Sequence, residues 1–242
     1  MLALHLTKPP GRPLSVLAIG AHPDDIEIGA GGTLLTLAGS QPGLRAHYLV
    51  LTGSADRQLE ARRAASAFLP AADLTISLHG LPESRLPAAW DRVKDALQEV
   101  AAVFVPDLVI VPDRGDAHQD HRTIAEIVPT VFRDQLNLAY EIPKWDGDFS
   151  RPSTYVPLSA ETARRKVELL HKCFPSQRHR DWWDDEVFLG LARLRGMECR
   201  APYAEAFTCT KSLITISTSR PGTTSEVREP PHDSLHRPRL AD

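Results

Sequence analysis

At 242 residues, with 42% hydrophobic and 24% charged residues, the chain has the length and composition of one globular domain, or of one domain with a small appendage. A formal net charge of −3 argues against nucleic acid or an anionic membrane as a partner. No stretch reaches the about 18 apolar residues of a membrane helix, no signal-peptide pattern opens the chain, and the three cysteines form no CxxC pair. We therefore expect a cytoplasmic protein without a membrane span.

Short apolar runs alternate with helical patterns along the first half of the chain. Strands are predicted at 14–20, 46–51, 74–78 and 107–111, and helices at 33–38, 56–69, 88–104 and 122–132. Strand–helix alternation at this spacing predicts an α/β fold with a mostly parallel, doubly wound sheet and helices on both faces. We interpret the segment between residues 21 and 25 as a loop that leads into a glycine-rich stretch.

The pattern changes after about residue 136. Three short strand candidates surround two further helices, which predicts a C-terminal α+β elaboration packed on the sheet: strands at 138–142, 154–156 and 201–209, and helices at 160–173 and 185–197. Residues 1–12 are predicted to be a flexible N-terminus and 13–216 a single domain. Residues 217–242, which are rich in Ser, Thr, Pro and charge, are predicted to be a disordered tail.

Two polar clusters each follow a predicted parallel strand. The first is His22-Pro23-Asp24-Asp25, and the second is His118-Gln119-Asp120-His121. Ligands of open α/β sheets bind beyond the carboxyl ends of the strands, at the point where the strand order reverses. We therefore expect the two clusters to meet there.

The residue types suit a catalytic zinc ion. Such an ion commonly has three protein ligands from His and Asp or Glu. His22, Asp25 and one histidine of the second cluster would make a His₂Asp set, and Asp24 beside it could accept a proton from water. The same set would also accept Fe²⁺, Co²⁺ or Ni²⁺.

These clusters, together with the Gly29–Leu34 stretch, resemble the LmbE-like or PIG-L family of zinc-dependent N-deacetylases. The likeness covers roughly residues 14–210 and includes Arg57-x-x-Glu60. Ile26 and Gln119 depart from common family residues. The resemblance implies a Rossmann-like deacetylase that acts on a small N-acetylated amino sugar or glycoconjugate.

Residue roles also follow from the resemblance. It implies that His22, Asp25 and His121 are the metal ligands and that Asp24 is the general base. It implies further that His118 stabilises the oxyanion and helps to protonate the leaving amine. Arg57 matches a position that contacts substrate in relatives. The acceptor and the oligomeric state are not determined by the sequence.

Several alternatives stand beside this interpretation. The two clusters could be helix-capping turns, with an Asp as the N-cap residue. The glycines at 29, 31 and 32 invite a nucleotide-dependent enzyme, although the G-x-G-x-x-G pattern is incomplete and two aspartates would repel a pyrophosphate. A non-catalytic metal-binding protein of the same fold is a third possibility. Trp182 and Trp183 could line a substrate pocket or pack in the core.

Overall fold

The computed structural model describes residues 2–7 and 11–214. The chain up to Ser212 forms one compact unit; a second unit, Leu213–Asp242, lies almost wholly outside the described residues, as does the predicted tail at 217–242. The strands are β1 (Ser15–Gly20), β2 (Arg45–Thr52), β3 (Asp73–Leu81), β4 (Leu108–Pro112), β5 (Leu136–Tyr140), β6 (Thr154–Leu158) and β7 (Tyr203–Thr208). The helices are α1 (Asp25–Ser40), α2 (Ala55–Phe68), α3 (Trp90–Val103), α4 (Gln119–Val131), α5 (Ala160–Cys173) and α6 (Asp185–Cys199), with short 3₁₀ helices at Leu86–Ala89 and Pro175–Gln177.

One seven-stranded sheet runs through the molecule in the order β3-β2-β1-β4-β5-β7-β6. The first five strands of this order pair in parallel, and β7 pairs antiparallel with both of its neighbours. The chain leaves β1 towards β2 on one side and returns to β4 on the other, so the strand order reverses between β1 and β4. The prediction of a mostly parallel α/β sheet is therefore confirmed.

Helices cover both faces of the sheet because its central strands are apolar on both sides. In β1, Val16 and Ala18 belong to the core that packs against α1, α2 and α5, whereas Leu17 and Ile19 belong to the core that packs against α3 and α4. Buried parallel strands of this kind have continuous apolar sequences. Among the described residues, no helix is long and apolar enough to cross a lipid bilayer.

Helix α1 begins at Asp25, eight residues before the start predicted from the sequence. The prediction was wrong here because glycines in a helical pattern were interpreted as a loop. A Cβ atom on Gly29 would lie 2.2 Å from Cδ2 of Tyr140, and one on Gly32 would lie 2.5 Å from a methyl group of Leu158. The glycines therefore allow the sheet and the C-terminal elements to approach α1 closely.

The C-terminal elements extend the sheet rather than form a separate body. Strands β6 and β7 continue it beyond β5, and α5 packs against α1 and α2. The Glu205 carboxylate of β7 accepts hydrogen bonds from the amides of Gly32 (2.8 Å) and Thr33 (2.6 Å). Lys166 of α5 pairs with the same carboxylate at 2.7 Å and donates to the carbonyl of Ile28. Through these hydrogen bonds, the buried ion pair of α5 and β7 connects the elaboration to α1, the helix that begins in the first polar cluster.

Candidate metal centre

The first polar cluster is a tight turn between β1 and α1. Thr52 holds its start, since its amide and hydroxyl both donate to the carbonyl of Ala21 at 2.9 and 2.6 Å. The amide of His22 donates to Oδ2 of Asp25 at 2.8 Å. Asp24 occupies the N-cap position with φ of 107°, but its side chain makes no capping bond within the described chain. Its carboxylate is therefore available for a different task, at the cost of a strained backbone.

The second cluster opens α4. His118 is the N-cap residue, and its Nδ1 accepts a hydrogen bond from the amide of Asp120 at 3.2 Å. The amide of His118 donates to Oδ1 of Asp116 at 2.7 Å. The helix begins at Gln119, three residues before the predicted start, and the capping residue is a histidine rather than an aspartate. His121 consequently lies in the first turn of α4 and is buried.

The two clusters meet at the point where the strand order reverses. Nδ1 of His22 lies 3.4 Å from Oδ2 of Asp25, and Nε2 of His121 lies 3.2 Å from the same oxygen. The two ring nitrogens are 3.3 Å apart. Zinc bonds of about 2.0–2.1 Å in a tetrahedron require ligand atoms about 3.3–3.4 Å apart. These three atoms form a triangle of the size that one face of such a tetrahedron requires.

His118 belongs to a looser group. Ring nitrogens of His22, His118 and His121 all lie within 4.8 Å of one another, so the three histidines could also be considered as a ligand set. The separations involving Asp25 are shorter and nearly equal. We therefore favour Asp25 as the third ligand, with His118 beside the metal position.

Two further aspartates contact the candidate ligand histidines. Nε2 of His22 lies 3.2 Å from Oδ2 of Asp120, and Nδ1 of His121 lies 2.8 Å from Oδ2 of Asp116. A neutral ring that donates to a carboxylate through one nitrogen presents the lone pair of the other to a metal. Each aspartate thus selects the tautomer in which the correct nitrogen can ligate.

The charges of the site favour a cation. Burial opposes protonation of both ligand histidines, yet Asp25 and the orienting aspartates outweigh it and raise the pKa of His22 to about 10 and that of His121 to about 9. Burial likewise opposes ionisation of Asp25, but the charges of His121 and His22 hold the pKa of Asp25 well below its usual range. The carboxylates therefore demand compensating positive charge. A divalent cation between neutral imidazoles meets this demand, and the donor set fits zinc.

Asp24 is held by an arginine of the neighbouring helix α2. Arg57 of α2 donates to Oδ2 of Asp24 at 2.9 Å and to the carbonyl of Pro23. Nε of Arg57 lies 3.4 Å from Glu60, which in turn accepts two hydrogen bonds from Ser176 at 2.9 and 2.6 Å. Burial raises the pKa of Asp24 to about 7, and the charges of Arg57 and, more weakly, of Arg180 act in the opposite direction. The structure thus brings Arg57 to the proposed base.

The hydrogen bond with which His118 caps α4 determines which of its ring nitrogens carries the proton. Because Nδ1 accepts from the amide of Asp120, a neutral ring carries its proton on Nε2. Burial and the charges of His121 and His22 lower the pKa of His118, which favours this neutral form. The ring contacts His22 and His121 at centroid distances of 4.7 and 4.8 Å. The ring of His118, which carries this N–H donor, therefore lies against the two candidate ligand histidines.

All the predicted site residues lie at this one place, together with two aspartates for which the sequence predicts no orienting role. Asp116 lies outside the two predicted clusters, and Asp120 belongs to the second cluster only as a motif or capping residue. A carboxylate five residues before His121 and one directly before it were the available signal. Of the two tryptophans, Trp183 is buried in the core and Trp182 packs partly against it.

Comparison with known proteins identifies a family and related chains. A family model described as PIG-L, GlcNAc-PI de-N-acetylase, matches residues 17–132. A protein of Escherichia coli K12 described as the uncharacterized deacetylase YaiS is 32% identical over 171 residues, which are 65% of this chain and 89% of that protein.

Two solved structures have the same fold at lower identity. The N,N'-diacetylchitobiose deacetylase of Pyrococcus horikoshii is 20% identical with a TM-score of 0.63, over 82% of this chain and 84% of that one. GalB, the 4-carboxy-2-hydroxymuconate hydratase of Pseudomonas putida KT2440, is 17% identical with a TM-score of 0.65, over 85% of this chain and 100% of that one. The family match and the E. coli relative, which aligns over nearly its whole length, show that the chain belongs to the PIG-L (LmbE-like) family.

Proposed function

We propose that this protein is a zinc-dependent N-deacetylase that hydrolyses the acetamide of an amino sugar or small glycoconjugate to acetate and a free amine. The observation that carries the proposal is the triangle formed by His22 Nδ1, Asp25 Oδ2 and His121 Nε2, with the buried carboxylate of Asp24 next to it. Zinc in such a set supplies a Lewis acid that polarises an acyl carbonyl and makes water acidic near neutral pH.

Asp24 acts as the general base in this scheme. Its carboxylate accepts a proton from the attacking water while the water oxygen adds to the carbonyl carbon. Arg57 positions this carboxylate through the 2.9 Å contact to Oδ2 and leaves the other oxygen to face the water. The proton then passes to the amine nitrogen as the carbon–nitrogen bond breaks, which gives acetate and the free amine.

His118 stabilises the charge that develops on the carbonyl oxygen. Its Nε2–H is the donor left after Nδ1 has been used to cap α4. The hydrogen bond from a preorganised donor of this kind becomes strong only when the oxyanion forms. It therefore stabilises the transition state more than the bound substrate and raises the reaction rate. Asp116 and Asp120 hold His121 and His22 in the tautomers that bind metal.

The relatives support the reaction type and suggest the acceptor. The E. coli relative has a deacetylase name, and the P. horikoshii protein acts on diacetylchitobiose, an N-acetylated sugar. The hydratase of P. putida shares the fold, so fold alone does not select the reaction. The assignment to N-deacetylation therefore depends on the metal centre and on Asp24.

The proposal is tested by measuring acetate and amine release from N-acetylated amino sugars. Protein stripped of metal by a chelator is compared with the same protein after addition of Zn²⁺, Fe²⁺ or Co²⁺. We expect release only after metal is restored. Stoichiometric zinc binding without release from any acetamide would instead favour the non-catalytic alternative, and a copurifying nucleotide cofactor would favour the nucleotide-dependent one.

A further inference from the structure

An exposed tryptophan follows a lysine that contacts the candidate metal centre. Trp145 is 65% exposed. The preceding residue, Lys144, has its Nζ 3.1 Å from Oδ1 of Asp116. The opposite oxygen of Asp116 is the one that contacts His121. Trp145 is thus next to the lysine that contacts Asp116, and Asp116 in turn contacts the candidate ligand His121.

The indole of Trp145 is fixed although it is exposed. Its Nε1 donates to Oδ1 of Asp181 at 3.0 Å, and its ring meets that of Trp182 edge-to-face at 5.9 Å and 84°. Trp182 in turn packs against the main core. Burying an indole of this size would ordinarily be favourable. An anchored indole that stays exposed is a ready platform for the apolar face of a sugar ring.

Arg180 lies over the same ring. Its guanidinium carbon is 5.8 Å from the ring centroid of Trp145, and its Nε donates to Oε1 of Gln177 at 2.7 Å. Within 2–7 and 11–214, Gln177 is the only residue that accepts a hydrogen bond from Arg180. The two terminal nitrogens are therefore oriented by the indole and by Gln177, yet they have no acceptor of their own in this part of the chain.

A line of hydrogen bonds, with one ion pair between Arg57 and Glu60, connects Arg180 to the proposed base. Gln177 donates to Oγ of Ser176 at 3.0 Å, and Ser176 is the residue that binds Glu60 behind Arg57. The 3₁₀ helix Pro175–Gln177 is thus attached to α2 on one side and to Arg180 on the other. Arg180 is consequently linked to the elements that position Asp24, and Trp145 is held beside Arg180 by Asp181 and Trp182.

We propose that Trp145 and Arg180 form an acceptor subsite, which selects amino sugars that carry an anionic substituent. The sugar ring packs on the indole, and the unsatisfied guanidinium nitrogens bind a carboxylate or phosphate oxygen. This inference rests on the proposed deacetylase function and specifies its substrate class.

Binding of the deacetylated amines tests the subsite without turnover. Calorimetric affinities of the full chain with zinc are compared for glucosamine, glucosamine 1-phosphate, glucosamine 6-phosphate and muramic acid. We expect at least one of the three anionic sugars to bind tenfold or more tightly than glucosamine. A preference for the phosphates or for the carboxylate then identifies the anion.

Variants connect that preference to the two residues. Arg180→Gln should lower the affinity for the preferred anionic sugar about 10- to 100-fold, which is the loss expected for a hydrogen bond to a charged group. The same variant should change the affinity for glucosamine less than twofold. Trp145→Ala should lower the affinity for both sugars by about 2- to 10-fold, because the stacking contact is lost. Arg45→Gln is the matched control, because Arg45 also lies over an aromatic ring, Phe104, but at the amino end of β2. It should change neither affinity.

The subsite is rejected if the wild-type protein binds no anionic sugar more tightly than glucosamine, or if Arg180→Gln retains the preference. Acetate release from the corresponding N-acetyl sugars is measured in parallel. Release without any anionic preference would reject the subsite alone. An Arg180-dependent preference without release from any sugar would keep the subsite and reject the proposed reaction.

Discussion

The two polar clusters that build the metal centre contribute in different ways. The turn at residues 22–25 supplies two candidate ligands and the proposed base within four residues, and it does so with a strained backbone at Asp24. The segment at residues 116–121 supplies one candidate ligand, His121, the proposed oxyanion donor, His118, and two aspartates that contact the candidate ligand histidines. Chemistry is thus concentrated in the first cluster, and control of geometry in the second.

Replacing the proposed base should have the largest effect. Asp24→Asn keeps the size of the side chain and removes its basicity, so we expect turnover to fall by about 10²- to 10⁴-fold, the typical contribution of a general base. Zinc content, measured by atomic absorption, should stay at the wild-type level because Asp24 is not a ligand. Full turnover with zinc bound would show that the base is another group.

Two variants of His118 distinguish its proposed catalytic role from its role in capping α4. His118→Asn can still cap α4 but has no donor at the position of Nε2, whereas His118→Ala loses both. We expect both variants to lose about 10²- to 10³-fold in kcat, as for removal of an oxyanion donor. The alanine variant alone should be less stable, by about 1 kcal/mol in urea unfolding. Equal activity of His118→Asn and wild type would remove the assigned role.

The orienting aspartates should affect metal binding more than chemistry. Asp116→Asn and Asp120→Asn should each weaken zinc binding by about 10- to 100-fold, measured by competition with a chromophoric chelator. Asp73→Asn is the matched control, since the side chain of Asp73 is 79% exposed and far from any ligand in the sheet order. An effect of the same size in the control would mean that overall charge, and not orientation, is responsible.

The backbone strain of the first cluster should give the smallest effect. Asp24→Gly and Asp24→Ala both remove the carboxylate and its contact with Arg57, but only glycine adopts a φ of 107° without penalty. The glycine variant should therefore be more stable than the alanine variant by about 1 kcal/mol. In thermal unfolding this corresponds to a Tm about 2–4 °C higher. Equal Tm values would show that the turn relaxes when the carboxylate is lost.

The sequence was most informative where residue type and spacing carry the signal. Apolar runs between helical patterns predicted the parallel sheet, and His and Asp residues that follow two of those strands predicted the candidate site. The start of helix α1 was predicted too late, because Gly29 and Gly32 are poor helix formers. Their role is clear only from the close packing of Tyr140 and Leu158 against them. Local propensity points away from a helix there, and tertiary packing outweighs it.

What the sequence by itself determined is the fold class and the set of residues that can bind a metal, because both depend on local pattern and on side-chain chemistry. What only the tertiary structure decided is how those residues are arranged. The contact of Asp120 with His22 and the placement of Arg180 over Trp145 join residues that are distant along the chain. The contact of Asp116 with His121 spans only five residues, but its distance and direction also depend on the fold. Their distances and hydrogen-bond directions exist only once the strands are ordered. No spacing in the sequence contains that information.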